Sequence, residues 1–180
     1  MGRSAPVGKP VEPLADGVVA VRPRTASDVD AIAAASHDPQ TRRWLDDPPM
    51  DEDARRTSLA QTEQAWQSGT SAPLVIADVA TDEPIGLVNL QFRDDNITTI
   101  AYSVFPARRG QGIAPRAVRP VTEWAFRDLG VGQLVLAADS ANTASLRVAE
   151  KCQFQRTGSR TETNDDHHER TVVVFTRWRQ

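Results

Sequence analysis

Tyr102-Ser103-Val104-Phe105-Pro106-Ala107-Arg108-Arg109-Gly110-Gln111-Gly112-Ile113-Ala114-Pro115 is the stretch from which the rest of the chain can be read. At its front Ile100, Tyr102 and Val104 alternate with Thr99, Ala101 and Ser103, the spacing of a pleated strand, and Pro106 ends the run. Behind it Ala117, Val121, Trp124 and Ala125 share one face of a helix that extends through Leu129. The local order is therefore strand, glycine loop, helix. A glycine pair at a helix mouth lets the backbone approach a bulky anion, because the first-turn N–H groups lack intrahelical acceptors and carry partial positive charge. Arg108 and Arg109 add charge of the kind that pairs with phosphate through two parallel hydrogen bonds. Two glycines before a helix also make an ordinary tight turn, and the loop alone leaves both readings open.

Two familiar phosphate loops are excluded. A dinucleotide fingerprint beginning at Gly110 needs Gly or Ala where Pro115 stands, and a mononucleotide P-loop needs a Gly-Lys-Ser/Thr triplet that the chain lacks. Pro115 suits a first helical turn, whereas Pro120 removes a backbone hydrogen bond inside the helix and predicts a kink or irregular turn there.

Outward from the loop, Leu134-Val135-Leu136-Ala137 reads as a buried strand. Asn142 caps a further helix with Leu146, Ala149 and Cys152 toward the core, and strands near 154–161 and 171–178 close the chain. Upstream, Leu74–Val79 and Ile85–Phe92 form a hairpin across Thr81-Asp82-Glu83-Pro84. Val18–Val21 is a short strand closed by Arg22-Pro23. Helices are expected over 29–36, with Thr25 or Ser27 as cap, over 40–45, and from Asp51 to Gly69 with Leu59, Thr62 and Trp66 on one face. Residues 1–16 carry three prolines and little apolar periodicity, so they read as a flexible leader to one domain over 17–180.

Bulk properties narrow the function. No apolar run nears the roughly 20 residues that cross a bilayer, and Met1–Pro13 has no signal-peptide core, so a cytoplasmic protein without membrane association is expected. The formal net charge of -3, with arginines scattered among carboxylates, does not suggest nucleic-acid binding. The single cysteine, Cys152, can form no internal disulfide and reads as a buried small residue.

Taken together, the segments resemble the GNAT superfamily of N-acetyltransferases, whose pyrophosphate loop reads Arg/Gln-x-x-Gly-x-Gly/Ala; Arg109, Gly112 and Ala114 match it. The likeness extends through Val18–Pro23, Tyr102–Pro106 and Asn142–Lys151, and the last segment is similar to the RimJ/RimL-type branch, in which Asn-x-x-Ser opens a helix leading to Glu-Lys and an aromatic residue, here Phe154. Gln153 departs from the glycine common at that turn. The resemblance implies a mixed α/β fold with a mostly antiparallel twisted sheet of about seven strands, one splayed parallel pair and about four flanking helices. It implies acetyl-coenzyme A as donor, an amine as acceptor, no metal, and leaves a homodimer open. By the same resemblance Val104 and Phe105 pair with the pantetheine arm, Arg108, Arg109, Gly110, Gln111, Gly112, Ile113 and Ala114 surround the pyrophosphate, and Asn142 hydrogen-bonds the pantetheine. Ser145 would protonate the departing thiolate, with Tyr102 in reserve.

The residues declare no strong general base. Several RimJ/RimL-type relatives carry a glutamate where Thr99 stands, so water is expected in that role and a weakly basic amine as acceptor. Asp139, at the end of the buried strand, is a weak candidate for orienting water. Asp165-Asp166-His167-His168-Glu169 has metal-capable side chains but reads as a polar turn, and His37 as a helix-end residue. Trp44 and Trp66 read first as core and second as acceptor-pocket lining. A module that binds acyl-coenzyme A as a sensor, without turnover, is the alternative to an enzyme.

Overall fold

A computed structural model describes residues 6–45, 47–93, 97–163 and 169–180. Its strands are β1 (Leu14–Ala15), β2 (Val19–Pro23), β3 (Ser71–Asp78), β4 (Pro84–Phe92), β5 (Thr98–Val104), β6 (Gln133–Asp139), β7 (Gln155–Thr163) and β8 (Glu169–Trp178). They form one sheet in the order β1-β2-β3-β4-β5-β6-β8-β7. The helices are α1 (Val29–Ser36), α2 (Pro39–Trp44), α3 (Glu52–Ser68), α4 (Ile113–Arg127) and α5 (Thr143–Lys151). The mixed architecture with one parallel pair is as expected, with one strand and one helix more than the approximate counts.

β3 is buried on both faces because its side chains serve two cores. Leu74 and Ile76 point into the larger core with Val118, Val121 and Trp124 of α4, while Val75 packs with Ile32 and Ala35 of α1 and with Phe105. Trp66 of α3 joins the larger core and meets Trp124 edge-on, centroids 6.4 Å apart at 62°. A buried ion pair fixes the start of α1. Asp28, with no exposed surface, receives both terminal nitrogens of Arg22 at 2.8 and 3.0 Å and the Thr25 amide at 2.7 Å.

One local expectation is corrected. Residues 7–16 are not a detached leader. Val7 is buried in the main core and its amide donates to the Trp66 carbonyl at 2.9 Å, while Leu14 and Ala15 pair with Val21 and Ala20. A two-residue strand among prolines has no period to detect. α4 runs on to Arg127 with Pro120 inside it, the residue at which a kink or irregular turn is expected. That residue sits between the exposed Arg119 and the rest of an outer face that includes Arg116, whose freed carbonyl water can satisfy.

The feature that positions the site is the parting of β5 from β6. They are parallel and register only at Thr98↔Leu134 and Thr99↔Val135, whereas β4 pairs with β5 at seven positions, up to Gly86↔Val104. Gly86 permits that last contact. A Cβ there would lie 2.5 Å from the Ser103 carbonyl oxygen and 3.3 Å from the Val104 Cα. Gly86→Ala is therefore expected to destabilise the fold by about 1–3 kcal/mol, the usual cost of overpacking. A thermal melt followed by circular dichroism would show it as a lowered Tm, and an unchanged Tm would mean that β4 and β5 can separate freely.

Candidate active site

The loop after β5 is built by short-range bonds. Pro106–Arg108 makes a single 3-10 turn, with the Arg108 amide on the Phe105 carbonyl at 2.9 Å, and the Gln111 side chain donates to the Ala107 carbonyl at 3.1 Å. Gly110 and Gly112 hold φ of 74° and 73°, the left-handed region that glycine enters without strain, so the chain reverses and enters α4. Ile113, Ala114 and Pro115 are buried and fasten the helix mouth. The Ile113 and Ala114 amides precede any intrahelical acceptor. A Cβ added at Gly110 or Gly112 would meet no atom of the chain within 4 Å, so the space before the loop is open to a ligand.

The two arginines beside the loop turn back onto the protein. Arg108 faces Asp78 at 3.4 Å. Arg109 donates to the Val104 carbonyl at 3.2 Å, Gln40 at 3.0 Å, and Asp38 and Thr41 at 2.7 Å each. Asp38 sits below the usual carboxylate range because of the Arg109 hydrogen bond first and the Thr41 amide second.

Tyr102 and Ser145, 43 residues apart in sequence, meet at 2.9 Å between hydroxyl oxygens. Ser145 is placed by its helix cap: the Asn142 side-chain oxygen accepts the Ser145 amide at 3.1 Å, which leaves the Asn142 NH2 group as a donor. Burial pushes the Tyr102 phenol up to about 12 against the opposing Ser145 hydrogen bond, so it stays a neutral O–H donor at physiological pH. Both hydroxyls line a cavity of about 850 Å³ that opens between β5 and β6 and also includes Trp44, Leu45, Thr99, Asp139 and Asn142.

Trp44 thus belongs to the cavity wall and Trp66 to the core. Asp139 lines the cavity, with one oxygen accepting the Ala141 amide at 2.8 Å. His37 sits at the end of α1, 3.1 Å from the Met50 carbonyl oxygen. Cys152 is fully buried and burial raises its thiol, the condition of an inert cysteine. Residues 165–168 lie outside the described residues.

Sequence reasoning missed the far wall, where Arg160, Glu162 and Arg170 line the same cavity. Burial would raise the Glu162 carboxyl, but Arg160 at 2.7 Å and Arg170 at 3.2 Å hold it below the ordinary range. These residues sit on strands β7 and β8, and β7 is exposed along nearly all its length, so no apolar period announced which face would look inward.

Residues 19–155 match the family described as acetyltransferase (GNAT) domain. The chain belongs to the GNAT acetyltransferase family. This GNAT chain is an acyltransferase by membership, and the glycine loop, the parted strands and the α5 cap fall within the matched residues. No curated protein matches it by sequence. Solved structures share its fold. A RimL ribosomal-protein α-N-acetyltransferase in complex with coenzyme A superposes with a TM-score of 0.80 at 18% identity, over 91% of this chain and 95% of that one. RimJ from Mycobacterium smegmatis, in complex with a coenzyme A disulfide, gives 0.78 at 20% identity over 98% and 88%. Spermidine N-acetyltransferase from Vibrio cholerae, in complex with coenzyme A and spermine, gives 0.78 at 15% identity over 91% and 96%. Among the described residues no helix is long and apolar enough to cross a membrane.

Tyr102 is the single tyrosine of the chain, so tyrosinate absorbance reports it alone. The absorbance is expected to rise with a midpoint near 12 in the native protein, and near pH 10 in denaturant. Because the folded value is the higher, the stability it contributes is complete below the unfolded value and is lost as pH rises toward the folded one. A native midpoint at the denatured value would mean that the hydroxyl is solvated.

Proposed function

We propose that this chain transfers the acetyl group of acetyl-coenzyme A to a primary amine, a protein N-terminal α-amine or a small-molecule amine, by direct attack in a ternary complex. The observation that carries the reading is the Tyr102–Ser145 hydroxyl pair at 2.9 Å, set in the cavity where β5 leaves β6. From Ile100 onward β5 is bonded to β4 on one side and has no β6 partner on the other, so its main chain up to the Val104 amide is available to the amide groups of a pantetheine arm, the Val104 carbonyl being bonded to Arg109. Gly110 through Ala114 hold the diphosphate with main-chain amides at the helix mouth, and the open space before Gly112 suits such a group. The Asn142 NH2 group donates to a pantetheine carbonyl.

In the reaction the amine nitrogen bonds to the thioester carbon, the C–S bond breaks, nitrogen loses a proton and sulfur gains one. Ser145 is placed to give its proton to the departing sulfur while Tyr102 replaces it. With its phenol pushed up to about 12, Tyr102 does not remain a tyrosinate, so the proton released by the amine refills the pair. Alignment of donor and acceptor supplies much of the acceleration.

Glu162 is held ionised between two arginines and is too weakly basic to take a proton at neutral pH. An unperturbed α-amine, pKa about 7.7–8.0, is roughly a tenth neutral at pH 7, whereas a lysine amine is below about one part in a thousand. An acceptor that deprotonates itself fits this cavity.

Two measurements test the reading. Calorimetric titration with acetyl-coenzyme A should give saturable heat that disappears in Gly112→Val; absence of heat with the wild type overturns the assignment. In a thiol-release assay against a panel of amines, Ser145→Ala should lower kcat about a hundred-fold with much less effect on coenzyme A affinity. Native turnover in that variant would move proton delivery to solvent, and a clear preference for lysine side chains would contradict the acceptor class.

A further inference from the structure

The guanidinium of Arg109 has five N–H donors, and four hydrogen bonds already occupy it. Nε donates to the Val104 carbonyl at 3.2 Å and Nη1 to Gln40 Oε1 at 3.0 Å, while Nη2 spends its two hydrogens on Asp38 Oδ2 and Thr41 Oγ1, each at 2.7 Å. A two-bond grip on phosphate uses adjacent N–H groups along one edge of the guanidinium, and every such edge runs through a nitrogen committed here.

The partners define what Arg109 joins. Val104 is the last residue of β5, and Asp38 is the cap of α2. The same Asp38 oxygen that meets Arg109 accepts the Thr41 amide at 2.8 Å and the Thr41 hydroxyl at 3.1 Å. α2 has no fully buried residue, so little apolar packing of its own fixes it. Its far end, Trp44 and the following Leu45, lines the cavity that holds Tyr102 and Ser145. A one-and-a-half-turn helix transmits the position of its first residues to its last, so whatever holds Asp38 and Thr41 places Trp44.

We propose that Arg109 is a positioning residue for the acceptor side of the cavity: it clamps α2 to the end of β5 and thereby sets the Trp44–Leu45 wall, while the loop's main-chain amides take the anion. The assignment rests on the reading of this cavity as the place where the amine meets the thioester. Its consequence is that acceptor affinity, and not cofactor affinity, depends on the Arg109–Asp38 contact.

The test uses the full chain with Asp38→Asn, Arg109→Gln and the double variant. Asparagine keeps a cap acceptor for the Thr41 amide and removes the charge that Arg109 meets. The acceptor probe is an alanine-headed hexapeptide with a free α-amine, or the amine from the panel that the wild type turns over, and the cofactor probe is coenzyme A. Asp38→Asn should raise the acceptor KM about ten-fold with kcat little changed, and leave the calorimetric Kd for coenzyme A within about two-fold. The double variant should raise the acceptor KM no further than a single one, since both remove the same contact. If Arg109 instead grips phosphate, Arg109→Gln weakens coenzyme A binding and Asp38→Asn leaves the acceptor KM at its wild-type value, which overturns the proposal.

Amide hydrogen exchange gives a second readout that needs no turnover. Faster exchange over residues 39–45 in both single variants, with residues 52–68 unchanged, supports the clamp, and wild-type rates over 39–45 overturn it. A wild type that binds coenzyme A but acetylates no amine would sink the proposed function, while the exchange experiment would still decide the clamp.

Discussion

Two parallel strands that part after two residue pairs are the constraint on which the site depends. Parallel neighbours ordinarily continue bonding along their length, because an unpaired edge leaves amides and carbonyls in need of partners. Here each arm of the opening is held from outside. β5 is bonded to β4 at seven positions and β6 to β8 at seven. The opening is therefore a property of the sheet, and loop motion is not needed to create it. Gly86 lets the β4 backbone approach the end of β5, and that end carries Val104 and leads into the glycine loop. The edge that β6 abandons is a template for any ligand with its own amide groups.

Much of the formal charge in the fold is used for construction. Arg22 and Asp28 fasten α1 to β2, Arg108 turns to Asp78, Arg109 to Asp38, and Glu162 is shared by Arg160 and Arg170. What stands at the centre of the cavity is a neutral pair of hydroxyls, kept neutral by burial on the tyrosine side. Paired charges raise little net field in their surroundings, and the Tyr102–Ser145 contact is itself a short-range hydrogen bond.

Legibility from sequence followed the range of the interactions. The strand, loop and helix around Gly110 and Gly112 could be read because glycine, proline and local periodicity encode them within a dozen residues. The hairpin of β3 and β4 was legible for the same reason. The Tyr102–Ser145 contact spans 43 residues, and only the family resemblance brought the two together. The Arg109–Asp38 contact spans 71, and the loop motif pointed that arginine toward phosphate instead. Trp44 and Trp66 had the same standing in the sequence, yet one lines the cavity and the other fills the core. A tryptophan on a short helix carries no period that says where the helix will lie. Val7 and β1 were hidden among prolines, since contacts made by single residues of an irregular segment leave no pattern.

On the proposed reading, the same arrangement bears on which amine can use the cavity. A cation entering a partly closed site loses hydration and needs a carboxylate in exchange. Three described carboxylates line this cavity: Glu162 is paired with Arg160 and Arg170, Asp139 has one oxygen on the Ala141 amide, and Asp47 belongs to the same lining. A neutral amine loses less hydration than an ammonium on going in and arrives with its lone pair ready. The base that Thr99 does not provide is then unnecessary at the moment of attack, because deprotonation has happened in water outside. The requirement that remains is orientation, and it falls on the wall formed by Trp44 and Leu45, a wall with no buried anchor in its own helix. Chemistry that asks little of acid and base residues asks correspondingly more of the contact that fixes that wall, which is where Arg109 acts.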